Sequence, residues 1–148
     1  MPSFILAAIS RNAARAGLAV AFAVATLVSS SSARAEDPIV GTWVGNLSQA
    51  DQEPFETRVT FVSPKGGVSR YPGFPCGGVL SGDRKGDAYE YEESISWGGV
   101  DELDPGCISG TVRATIDGDK MNLSWSGTHN GQEYQASGEL KRVRKGKR

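Results

Sequence analysis

The sequence predicts an all-β fold, an antiparallel up-and-down β-barrel of about eight strands after an N-terminal signal peptide. Three observations carry this prediction. Beyond residue 36, apolar residues recur at every second position in short runs. Clusters of turn residues separate the runs. No window in that region spaces its apolar residues at the 3.6-residue period of a helix.

Residues 1–35 read as a leader. Arg11 and Arg15 precede an apolar run over residues 18–28. A serine-rich break follows, and then Ala33-Arg34-Ala35 as an A-x-A cleavage site. A membrane anchor is the competing reading, but the run falls short of the ~20 apolar residues a span requires. The domain then occupies residues 36–141, with a basic tail at 142–148. Export to the periplasm or out of the cell would bring Cys76 and Cys107 into an oxidising compartment, where they can form a single intramolecular disulfide. A metal site is the alternative. Two thiols and the lone His129, with neither C-x-x-C nor H-x-x-x-H spacing, make a poor ligand set, and no metal or other cofactor is predicted.

The elements follow in order. Residues 40–49 place Gly41, Trp43, Gly45 and Leu47 on one side of a first strand. Residues 55–63 alternate Phe55, Thr57, Val59 and Phe61. After Pro64-Lys65-Gly66-Gly67, a short strand covers 68–71, and a Pro-Gly-Phe-Pro break leads to another at 76–82. Beyond a turn at 83–87 comes the clearest alternation, with Tyr89, Tyr91, Glu93, Ile95 and Trp97 on one face. An acidic loop at 98–106 precedes a strand at 107–116. Asp117-Gly118-Asp119 then signals a hairpin into Met121, Leu123 and Trp125. His129-Asn130-Gly131 signals another, into Tyr134, Ala136, Gly138 and Leu140. Closure into a barrel is favoured over an open sandwich because it leaves no exposed edge. Gly41, Gly45, Gly110 and Gly138 suit the bends of a small barrel.

Gly41-Thr42-Trp43 resembles the G-x-W that opens calycin barrels, the group of lipocalins, fatty-acid-binding proteins and avidins. That resemblance implies that Trp43 closes the barrel base and that a basic residue from the end of the last strand, Arg142 or Arg144, packs over it. The run from Tyr71-Pro72 through Cys76-Gly77-Gly78 and Tyr89-x-Tyr91-x-Glu93-x-Ile95 to Cys107 resembles a small bacterial extracytoplasmic domain, which implies no particular reaction. In size, export and cysteine use the chain also resembles periplasmic lysozyme inhibitors.

Charge narrows the partners. Residues 36–140 hold 7 Lys and Arg against 17 Asp and Glu, whereas six basic residues crowd the last eight positions. An acidic body argues against nucleic acid across the domain face, and the tail is free to touch anionic surfaces. Among residues able to carry chemistry, Glu93 stands out. On an inward aromatic face its carboxylate must be paired, hydrogen-bonded or protonated. Arg70, Arg58 and the tyrosine hydroxyls are its candidate partners. Glu93, Tyr89, Tyr91 and Arg70 are therefore the predicted ligand-binding set, with a structural ion pair or tyrosine network as the competing role for Glu93. His129, at a hairpin tip, reads as a solvated turn residue. Trp43, Trp97 and Trp125 read as core. Asp101, Glu102 and Asp104 have oxygens that calcium uses but match no EF-hand spacing. No nucleophile–base–orienter set, P-loop or Rossmann pattern occurs. The sequence thus predicts a non-enzymatic binding module with a small ligand in the barrel mouth. The alternative is a protein-facing module such as an inhibitor of a cell-wall hydrolase.

Overall fold

The computed structural model describes residues 35–99, 106–144 and 146. The leader up to residue 34, the acidic residues Asp101, Glu102 and Asp104, and the tail residues Lys145, Lys147 and Arg148 lie outside them. Eight strands follow one another: β1 (Gly41–Gln49), β2 (Phe55–Ser63), β3 (Gly66–Tyr71), β4 (Cys76–Lys85), β5 (Ala88–Trp97), β6 (Gly110–Asp117), β7 (Lys120–His129) and β8 (Gln132–Arg142). Each pairs antiparallel with its neighbour in sequence, and β1 pairs with β8 to close the barrel. Among the described residues there is no helix, and so none long and apolar enough to cross a membrane.

Alternation decides what fills the interior. Trp43 and Leu47 of β1, Val59 and Phe61 of β2, Leu80 of β4 and Tyr89 and Tyr91 of β5 point inward and are buried. So are Val112, Met121, Leu123 and Leu140 from the later strands. The intervening residues face solvent, as a one-sided sheet requires. Two turns take the left-handed backbone their sequences predict. Gly118 has φ 59° between β6 and β7, and Asn130 and Gly131 have φ 51° and 77° between β7 and β8.

In an up-and-down barrel, the starts of odd strands and the ends of even strands share one rim. That rim is sealed. Ile39, fully buried just before β1, covers the opening, and Trp43 lies beneath it with its indole N–H donating to the Ile39 carbonyl at 2.9 Å. The Arg142 guanidinium, from the end of β8, sits 4.1 Å from the centre of the Trp43 ring. It donates to the carbonyls of Val40 and Pro38 and pairs with Asp119 at 3.3 Å. Of the two arginines the sequence nominates for this position, Arg142 takes it. Arg144 lies outside, paired with Asp119.

Two local departures from the sequence prediction have one kind of cause, an irregularity in pairing. Cys107 precedes β6 instead of opening it, because it forms a lone bridge to Gly99 and a disulfide to Cys76, with 6.2 Å between the Cα atoms. Trp97, a core residue by its alternation, is instead 44% exposed. The pairing of β5 with β4 slips between Gly77 and Gly78, so that Gly78 faces Ile95 and Gly77 faces Trp97. The extra residue reverses the alternation and turns Trp97 to the outer wall. There it covers Gly77, where a Cβ would come within 2.9 Å of the indole nitrogen.

Candidate functional site

Among the described residues, the opposite rim is open. It is built from the ends of β1, β3, β5 and β7 and the starts of β2, β4, β6 and β8, and the Cys76–Cys107 disulfide staples the β5–β6 connection to its edge. Inside lies a cavity of about 290 Å³, near the lower end of the range for small-molecule sites. Leu47, Phe55, Phe74, Ile108, Tyr134 and Ala136 form most of its apolar wall. Phe55 packs edge-on against Tyr71 and Phe74, with ring centres 6.1 and 5.1 Å away.

The floor is polar. Glu93, 1% exposed, enters from β5 between Leu80 of β4 and Gly110 of β6. Its Oε1 accepts from the Tyr71 hydroxyl at 2.8 Å and from the Ser69 hydroxyl, and Ser69 itself accepts from the Gly78 N–H at 3.1 Å. The Trp125 indole N–H is turned toward the same carboxyl. Among the described residues, however, neither Trp125 Nε1 nor Glu93 Oε2 has a hydrogen-bond partner. Burial raises the Glu93 carboxyl above the ordinary carboxylate range, and the donors from Ser69, Tyr71 and Trp125 offset this only in part. Burial, together with the adjacent Glu93, also pushes the Tyr71 phenol upward, so it stays a donor.

Glycine makes room for this floor. A Cβ on Gly110 would come within 2.7 Å of the Trp125 ring, and one on Gly127 within 2.6 Å. The indole therefore occupies the space that side chains at these two inward positions would fill. Only glycine leaves that seat open.

Of the four residues the sequence nominates as a ligand set, the structure brings only Glu93 to the cavity. Tyr89 and Tyr91 do point inward, but toward the sealed rim. The Tyr89 hydroxyl donates to Asp37 at 2.7 Å, and that of Tyr91 to the Pro64 carbonyl at 2.9 Å. Arg70 alternates outward on β3, where its guanidinium lies 6.0 Å from the Trp97 ring. The partners of Glu93 are thus the hydroxyls of Ser69 and Tyr71; neither Arg70 nor Arg58 forms an ion pair with it. His129, by sequence a solvated turn residue, is half-buried and lines the cavity rim, its Nε2 3.0 Å from the Asn130 amide. Tyr71, Trp125, Phe55 and Tyr134 join the site without being nominated by the sequence reading. A signal for them exists: each is an inward position lying toward the same rim as the late residues of β5.

Among the described residues, no cluster of three His, Cys, Asp or Glu side chains could hold a metal ion. No protein-family model, curated protein or solved structure matches the chain.

Proposed function

We propose that this protein is an exported, non-enzymatic binding module, periplasmic or secreted, that takes a small ligand in the open mouth of a calycin-like barrel. The observation that carries this reading is the cavity floor. An apolar chamber ends on a buried carboxyl of which one oxygen has no partner among the described residues, and leaving such a group unsatisfied costs about 1–3 kcal/mol or more. A ligand supplies the missing bond. The A-x-A leader and the disulfide support export. Trp43 under Arg142 resembles the basal closure of calycins.

Native mass spectrometry of the protein purified from its own compartment tests the reading. The expected result is an added small-molecule mass, lost on denaturation. Ala136→Leu, which fills the wall of the chamber, abolishes that mass while the protein stays folded. A bare wild-type protein that also takes up no octan-1-ol in calorimetric titration would refute it.

The outer wall supports a second reading, a protein-facing module. Trp97 and Val79 are exposed there, 44% and 50%, beside Arg70 on an otherwise acidic body. Such a surface would steer toward a basic target, for instance a cell-wall hydrolase. Its mark is salt-sensitive association with a basic lysozyme that Trp97→Ala weakens and Ala136→Leu leaves intact.

A further inference from the structure

Resting on the binding-module reading, we propose that the mouth selects amines, taking an amphipathic ligand whose protonated amino group sits on Glu93 Oε2 and whose apolar body of about ten heavy atoms fills the chamber. The size follows from about 290 Å³ of cavity at roughly 30 Å³ per water-sized atom.

The charge follows from the arrangement of donors and acceptors. Among the described residues, the groups aimed at Glu93 are donors: the hydroxyls of Ser69 and Tyr71 and the indole of Trp125. These can solvate a carboxylate but cannot neutralise it. The ion pairs of the described residues all lie on the surface or at the sealed rim, and none includes Glu93. The open position at Oε2 accepts a hydrogen bond, so the complementary ligand atom carries a proton. A neutral alcohol would satisfy the geometry and leave the charge unpaired. An anion would meet a desolvated carboxyl of its own sign. An ammonium satisfies both requirements, with a charge-assisted bond in a site screened from water.

The walls favour the same choice. Trp125, Tyr71, Phe55, Phe74 and Tyr134 line the same cavity as the carboxyl. Aromatic faces attract cations and offer anions nothing comparable.

Calorimetric titration of the purified protein near pH 7.5 with octylamine, octan-1-ol and octanoate separates the possibilities. These three ligands share one chain and differ in the head. Octylamine is expected to bind about 10- to 100-fold more tightly than octan-1-ol, the range for a hydrogen bond to a charged group, with octanoate weakest. In Glu93→Gln the preference for amine over alcohol collapses toward unity while octan-1-ol still binds. If the variant does not fold, the wild-type series decides alone. Octan-1-ol binding as tightly as octylamine, or octanoate binding best, would overturn the amine assignment and leave the binding module standing. Failure of all three ligands to bind would remove the binding module, and the amine assignment with it.

Discussion

Replacing Glu93 by Gln should change how the stability of this barrel depends on pH, and the structure fixes the direction. The amide oxygen of Gln can accept the two bonds that Oε1 takes from Ser69 and Tyr71, and the volume is nearly unchanged. At low pH the native carboxyl is protonated, so the two proteins carry neutral side chains of one shape and differ little. Burial raises the folded-state pKa above the unfolded value, which lies near 4.3. The folded state therefore holds its proton more tightly. The stability this contributes is fully present below about pH 4.3 and is lost as pH rises through the folded-state value. One proton limits the slope to about 1.4 kcal/mol per pH unit. The amide cannot titrate, so the variant should gain on wild type with rising pH, by about 1.4 kcal/mol for each unit by which burial raises the carboxyl. Other carboxylates are common to both proteins and cancel in the difference. Urea unfolding followed by tryptophan fluorescence, at steps from about pH 4 to 8, reads the difference directly. Stability curves that stay parallel, or a Gln variant that loses ground as pH rises, would show that the three donors outweigh burial and would refute the reasoning.

Other perturbations probe the rest of the barrel. Replacing both Cys76 and Cys107 by Ala opens a loop spanning 31 positions, for an expected loss of about 3–4 kcal/mol; a loss below about 1 kcal/mol in urea would contradict the loop-entropy argument. Arg142→Ala removes the bonds to Val40 and Pro38 and the contact with Trp43, at about 2–4 kcal/mol. Arg142→Lys should recover less than half of this, since an ammonium lacks the planar fork that spans two carbonyls. Thr57 buries a hydroxyl that has no partner among the described residues, so Thr57→Val should raise the free energy of unfolding by about 1 kcal/mol. Burial and the bond to Asp37 push the Tyr89 phenol up to about 12. In an ultraviolet titration it should ionise well after a free phenol, and Tyr89→Phe should remove that late step.

The strands are legible in the sequence because period two is a local property, enforced wherever one face is buried. The inward direction of Glu93, Tyr89 and Tyr91 is legible for the same reason. Register is harder to read. The bulge that turns Trp97 outward depends on how β5 meets β4, and nothing in the alternation of β5 announces it. Alternation groups Tyr89 and Tyr91 with Glu93 because the three share a face. A face, however, runs the length of the barrel, from the sealed rim at Tyr89 to the open one beyond Glu93. Sorting inward residues by rim as well as by face joins Glu93 to Tyr71 and Trp125 and releases the tyrosines to the seal. His129 departs from its expected place by a different route. Its turn chemistry holds, but a turn at the open rim is also part of the cavity wall.

The sealed rim holds both the entry to β1 and the exit from β8, where the Val143 N–H donates to the Thr42 carbonyl at 2.8 Å. In a ring of eight strands in which each pairs with the next, the position of the break is topologically arbitrary. A short linker across the Pro38–Val143 junction, with new ends cut at the exposed Gly118 turn, should give a circular permutant with the same eight seams. The same geometry makes this rim a natural handle. A surface anchor or reporter domain joined at either side of the seal would leave the mouth facing away from its support.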